Sequence, residues 1–299
     1  MPELPEVETV RRGLAQAVTG AEVLDVRVLD SRALTRYAPG RDAFVHALTG
    51  ATMLEPRRRG KFLWMPLAGR DEALIGHLGM SGQLLLQPGG GDAVEPMRHE
   101  RIRIRLRGVD GHETDLVFAD QRTFGSLAID ALEESTDVPG DARPSQIGHI
   151  GRDPLDAHFD EHQALARIRA SRSPIKSVLL NQSIISGIGN IYADEALWRA
   201  RLNPLQPAST ISTRKGRELI REVRAVFEQA LAGGGTSFDE LYVNVNGESG
   251  RYSTSLNAYG QQGKPCARCG RLIVRSAFQN RGSHYCPRCQ RLRPGRLVA

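Results

Sequence analysis

Residues 265–290 read P-C-A-R-C-G-R-L-I-V-R-S-A-F-Q-N-R-G-S-H-Y-C-P-R-C-Q, placing Cys266 and Cys269 two residues apart, then Cys286 and Cys289 after sixteen more. They are the only four cysteines in the chain. Two Cys-x2-Cys pairs at this separation fit a structural tetrahedral Zn2+ site, in which two tight turns each present a thiolate pair. Two disulfides are the alternative, and they suit a secreted chain. With four protein ligands no coordination position is left for water or substrate, so one Zn2+ per chain is expected to hold a fold and not to catalyse. The fold of the C-terminal module follows from this stretch.

The charge map makes the same module the basic one. From residue 264 to 299 there are one Lys and eight Arg and no acid, so this tail carries +9 in a chain whose net charge is +6, and the remainder carries −3. Arg268, Arg271, Arg275, Arg281 and Arg288 therefore surround a rigid knuckle, a good presentation of guanidinium groups to phosphates. Nucleic acid is the leading partner. No apolar run is long enough to span a bilayer and the start, with Glu3, Glu6 and Glu8, lacks a signal-peptide pattern. A soluble intracellular protein without a membrane partner is expected.

N-terminal to the module, residues 242–262 are rich in Gly, Asn, Ser and Tyr and read as a loop. Before it come candidate helices at 161–170, 175–182, 191–202 and 213–232, the last ending against Gly233, Gly234 and Gly235. Residues 136–152 are rich in Pro, Gly and Asp and read as an interdomain linker. Earlier still, short apolar runs at 23–28, 62–67, 74–86 and 101–107 predict a mostly antiparallel sheet. The last run, R-I-R-I-R-L-R, sets Ile102, Ile104 and Leu106 on one face and four Arg on the other, as a sheet with one wet side requires. A leading helix begins at Leu4, with Pro5 in its first turn and a stripe at Val7, Val10, Leu14 and Val18. The domain boundaries expected are 1–135, 136–152 (linker), 153–254 and 255–299, an α+β chain.

Gly187-Ile188-Gly189-Asn190 lies between two apolar helical stretches; a glycine-rich turn at a helix start suits phosphate, although such a turn is more often only a connection. Taken with the opening M-P-E-L-P-E-V-E-T-V-R-R-G-L, the chain resembles the formamidopyrimidine-DNA glycosylase branch of the helix-two-turns-helix DNA glycosylases. The resemblance runs through R-R-G-K at 58–61, H-L-G-M-S-G at 77–82 and D-Q-R-T-F-G at 120–125. It continues in I-K-S-V-L-L-N-Q at 175–182, G-I-G-N-I-Y-A-D-E-A-L at 187–197 and N-R-G-S-H-Y-C-P-R-C-Q at 280–290.

The resemblance implies an N-terminal β-sandwich with a leading helix, a helix-two-turns-helix domain and a four-cysteine zinc finger. It implies a monomer acting on double-stranded DNA that contains an oxidised base. In that family the counterpart of Pro2, exposed by loss of Met1, attacks the anomeric carbon through its secondary amine, and a Schiff base then carries β,δ-elimination. Glu3 matches the general acid/base, and Lys61 and Arg281 match further catalytic positions. His77, Lys176 and Asn190 match DNA-contacting groups. Met80, Arg122 and Phe124 match the side chains that fill the hole left by a flipped nucleotide. The loop at 247–252 matches one that closes over the flipped base.

Departures from the pattern are Asn181, where an Asp is common, Gln121 and Thr123 beside Arg122, and A-Y-G-Q at 258–261. Two other readings stay open at this point: an oxidised-pyrimidine enzyme of the endonuclease VIII type, and a catalytically silent DNA-binding zinc protein. Pro2-Glu3 with Lys61 intact argues against the silent reading.

Overall fold

The computed structural model describes residues 2–89, 95–234 and 256–293. The loop at 247–252 lies outside them. Two compact units are present, one running to His149 and the other beginning at Ile150.

In the first unit, α1 (Leu4–Val18) buries Leu4, Val7, Val10, Leu14 and Val18, the stripe its spacing predicts. Strands β1 (Glu22–Val28), β5 (Gly82–Pro88), β6 (Glu100–Arg107) and β7 (Glu113–Asp120) form one antiparallel sheet in the order β1-β6-β7-β5. The other sheet has the order β2-β3-β4-β8-β9, from β2 (Arg57–Arg59), β3 (Phe62–Pro66), β4 (Glu72–His77), β8 (Ser126–Glu134) and β9 (Ala142–Pro144). Val26, Leu84, Ile104 and Phe118 from the first sheet share one core with Leu63, Leu74 and Leu127 from the second. The helix α2 (Arg41–Leu48) adds Phe44 and Leu48 to it. The unit is an antiparallel sandwich with a leading helix.

Three expectations change here. The apolar run at 74–86 is two strands in different sheets, because Gly79 takes a left-handed φ of 62° and the Gly82 N–H closes on the Leu78 carbonyl at 2.8 Å. The arginine face of R-I-R-I-R-L-R is not wholly wet. Arg103 is buried, its guanidinium 2.6 Å from Glu100 and 2.9 Å from Asp115, so a solvated-face reading fails where acids are supplied on the same surface. Within 136–152, residues 142–144 add a strand to the edge of a sheet, pairing with 132–134, so that stretch is not structureless.

The second unit contains α3 (Glu161–Ala170), α4 (Ile175–Leu179), α5 (Asn190–Arg199), α6 (Thr213–Ala232) and a hairpin, β10 (Val274–Phe278) with β11 (Arg281–Tyr285). Asp160 and Ser212 cap α3 and α6 by accepting the N–H groups of Gln163 and Lys215. α6 buries Leu219, Ile220, Val223, Val226 and Phe227, and Phe227 meets Tyr192 of α5 edge to face. α4 stops three residues earlier than its apolar pattern, since Gln182 turns its side chain onto the Leu180 and Ile188 carbonyls and accepts the Gly187 N–H, organising the glycine turn instead. α5 likewise runs from Asn190 to Arg199, not from 191 to 202. Among the described residues no helix is long and apolar enough to cross a membrane.

Candidate active site and nucleic-acid interface

Pro2 and Glu3 are buried at the head of α1. Glu3 stands at the N-cap, and the Glu6 carboxylate accepts its backbone N–H at 2.8 Å, half of a reciprocal cap. In the other half the Glu3 side chain accepts the Glu6 backbone N–H, so Glu3 and Glu6 share the capping of α1, while Glu8 has separate work. Glu8 takes Arg11 and Arg12 from its own helix and Arg58 from β2, at 2.9, 2.8 and 3.0 Å. Burial alone would raise the Glu8 carboxyl; the hydrogen bond from Arg11 and the charges of Arg58 and Arg11 overcome it and lower the pKa to about 2.

Arg58 in turn donates to the Gly60 carbonyl at 3.0 Å, so one chain of contacts runs from α1 through Glu8 and Arg58 to the turn that carries Lys61. Lys61 is nearly buried, not a solvated basic turn. Next to it, Phe62 pairs with His77 across β3 and β4, the two rings 4.6 Å apart, and the Arg36 guanidinium lies 5.2 Å from the Phe62 ring. Burial, with the positive charges of Arg36 and Lys61, lowers the His77 pKa from 6.5 to about 4. A neutral imidazole follows. Its Nδ1 accepts the Gly79 N–H at 3.1 Å, which leaves Nε2 as the donor nitrogen.

The turns at 78–81 and 121–125 both cross from one sheet to the other. The register pairs Gly82 with Asp120 and His77 with Ser126, so the two crossings lie side by side. Met80 is 41% exposed and Phe124 63% exposed, with Arg122 Nη1 3.6 Å from the Met80 sulfur. The three residues singled out by sequence form one protruding group, and neither apolar member belongs to the core.

In the second unit Asn190 and Asp194 are one helical turn apart on α5 and meet the β10–β11 hairpin. Asp194 accepts Ser283 Oγ at 3.1 Å and the His284 N–H at 2.8 Å. Asn190 Nδ2 and Lys176 Nζ both donate to the Gly282 carbonyl at 3.1 Å, directly beside the exposed Arg281. Lys176 itself is fully buried and lies 2.6 Å from Asp194, so its charge is held in an internal ion pair beneath the hairpin and not presented at the surface. Glu195 accepts the N–H groups of Asn257, Ala258 and Tyr259; burial raises its pKa against those bonds. Asp194 and Glu195, missed in the sequence, fasten α5 to the hairpin and to the segment before it. Their signal was two consecutive acids flanked on both sides by apolar residues of one helix.

The four cysteine sulfurs lie within 4.8 Å of one another, with Cys269 and Cys286 at 3.5 Å. Tetrahedral thiolates around zinc, at about 2.3 Å per bond, stand about 3.8 Å apart, so the cluster fits the ion. Trp198 of α5 donates its indole N–H to Cys266 Sγ at 3.4 Å, and Arg268 stacks on that indole at 3.8 Å while donating to the Trp198 carbonyl. Arg268 is therefore used in docking the finger and is removed from the set of arginines offered to phosphate.

An antiparallel sandwich, a helical domain with a glycine turn and a four-thiolate finger define a zinc-finger protein of the helix-two-turns-helix class. Residues 1–127 match the formamidopyrimidine-DNA glycosylase N-terminal domain, 150–240 its H2TH domain, and 263–292 the zinc finger found in FPG and IleRS. Formamidopyrimidine-DNA glycosylase of Leifsonia xyli is 52% identical over 98% of this chain and all of its own, and that of Streptomyces coelicolor 50% identical over 97% and 98%. The MutM (Fpg) structure from Thermus thermophilus superposes with a TM-score of 0.80 at 35% identity, covering 98% of this chain and 100% of that one. A Lactococcus lactis Fpg variant in complex with Fapy-dG-containing DNA gives 0.82 at 29%, covering 97% and 100%. The chain belongs to the formamidopyrimidine-DNA glycosylase family.

Proposed function

We propose that this protein removes oxidised purines, 8-oxoguanine and formamidopyrimidines, from duplex DNA and then cuts the backbone at the resulting site. The observation that carries the reading is the pairing of a buried Pro2-Glu3 at a helix start with a protruding Met80–Arg122–Phe124 group on the same unit. A nucleophile without a wedge suits abasic DNA alone; a wedge without a nucleophile suits a silent binder.

The Pro2 amine attacks C1′ of the flipped nucleotide as the bond to the base breaks and the base departs with the electron pair and a proton. An α-amine, with an ordinary pKa near 7.7–8.0, is about one-quarter neutral at physiological pH, whereas a lysine near 10.4 is almost wholly charged. Glu3 delivers a proton to the ring oxygen as the sugar opens, leaving an iminium between Pro2 and C1′. That iminium acidifies C2′, so loss of its proton expels the 3′ phosphate; a second elimination expels the 5′ phosphate. Lys61 and Arg281 are the cations assigned to these departures, and neutral His77 donates to a backbone phosphate through Nε2. Asn190 braces the hairpin beside Arg281, and Met80, Arg122 and Phe124 occupy the vacated stack.

Zinc bound by Cys266, Cys269, Cys286 and Cys289 holds the finger and takes no part in proton transfer. Domain limits of 1–135, 153–254 and 255–299 accommodate these roles, with the strand at 142–144 of the intervening stretch attached to the first unit's sheet. A single chain acting on the cell's DNA belongs inside the cell, at the nucleoid. Incubation with duplex containing 8-oxoguanine opposite cytosine tests the reading: a one-nucleotide gap bearing phosphate on both ends is expected. Preference for duplex containing an oxidised pyrimidine would overturn it.

A further inference from the structure

Met80 and Phe124 expose apolar surface on two short turns, and a wedge pushed between stacked bases must not fold back on its own loop. Gly79 sits so close to the second turn that a Cβ there would meet the Gly125 nitrogen at 2.4 Å and the Phe124 carbonyl carbon at 2.5 Å. Between the two turns lies one carboxylate. Asp120 is 1% exposed, and its Oδ1 accepts Ser81 Oγ at 2.6 Å from the first turn and the Arg122 N–H at 3.1 Å from the second. Its Oδ2 accepts the Gly125 N–H at 2.7 Å.

The residue enclosed by those bonds, Thr123, takes a left-handed φ of 54°, an outlier for a β-branched side chain that persists only where its neighbours over-determine it. The Asp120 backbone is itself fixed, its N–H on the His99 carbonyl and its carbonyl on Arg101 Nε, both at 2.9 Å. Arg101 is held by Asp30 at 2.8 Å.

We propose that Asp120 is the positioning residue of the wedge: its carboxylate locks the Met80 turn to the Arg122–Phe124 turn, so the three side chains enter the DNA as one rigid group. This rests on the void-filling reading above. An amide at 120 has one oxygen for three donors and adds two donors of its own, so at least one of the three bonds is lost without loss of volume.

Asp120→Asn is compared with Met80→Ala and Phe124→Ala on two substrates: duplex with 8-oxoguanine opposite cytosine, and a single-stranded oligonucleotide with an abasic site, which requires no wedge. Single-turnover excision from the duplex is expected to fall at least tenfold in Asp120→Asn, while single-strand nicking stays within twofold. Fluorescence of 2-aminopurine beside the lesion, which rises when the stack opens, is expected to lose most of its amplitude. Ser81→Ala, which removes one donor and cannot unfold the sandwich core, should give a smaller loss in the same direction. Equal loss on both substrates, or full activity of both Asp120→Asn and Ser81→Ala while Met80→Ala and Phe124→Ala are impaired, overturns the inference alone. Full duplex activity of Met80→Ala and Phe124→Ala overturns the void-filling reading itself.

Discussion

Lys176 Nζ lies 2.6 Å from Asp194 Oδ1, with both side chains wholly out of solvent. Two buried opposite charges are costly to bring together and more costly to separate, because a lone survivor keeps its desolvation and loses its partner. Around the pair, Gly282, Ser283 and His284 complete the bonding, so the ion pair fixes how the hairpin leaves α5.

Lys176→Met is therefore expected to destabilise the second unit by about 3–5 kcal/mol. Asp194→Leu should cost less in that background than in the wild type, although it still orphans the Ser283 and His284 donors, a non-additivity read from urea unfolding of the single and double variants. Purely additive losses would show that the two charges do not depend on each other.

Zinc should be required for duplex binding and not for the fold of the sandwich, since the sandwich shares no ligand with the finger. Cys286→Ala, or chelation, is expected to abolish DNA affinity while the first unit keeps its own unfolding transition. Metal-stripped protein that binds lesion duplex normally would contradict this.

His77 gives the first unit an acid limit. Its pKa is near 4 in the folded state and about 6.5 when unfolded, so the folded state favours the neutral ring. The associated stability is complete above about pH 6.5 and is lost as pH falls towards 4, about 2 kcal/mol between pH 7 and 5. Glu8 titrates lower, its contribution lost only as pH falls from about 4.5 towards 2. Urea midpoints of His77→Gln should be flatter than wild type over pH 7 to 5; an unchanged slope would place the titration elsewhere.

Arg281 is exposed beside a braced glycine and carries no role in the core. Arg281→Ala is expected to weaken duplex binding and to reduce the slope of log affinity against log salt by about one. An unaltered slope would remove it from the phosphate contacts.

Much of this was legible where local pattern and final burial agree. The stripe of α1, the limits of α3 and α6, and the cysteine pairs depend on neighbours a few residues apart, and they stand as spacing predicts. What escaped depends on distant partners. Arg103 reads as solvated, and Lys176 as a group free to meet DNA, until Asp115 and Asp194 are brought to them by a strand pairing and a helix packing that charge alone does not announce. Asp120 reads as an ordinary strand end, and only the register that sets two crossings side by side shows it serving both turns.

The central claim is that the amine of Pro2 becomes covalently joined to the sugar of an oxidised purine nucleotide. Borohydride added during turnover reduces an iminium to a stable amine, so protein should be trapped on duplex containing 8-oxoguanine opposite cytosine, with the link mapped to Pro2. A variant with one residue added ahead of Pro2 should not be trapped, because an amide nitrogen is no nucleophile. Absence of trapping by protein whose N-terminus is shown to be free Pro2 would contradict the account.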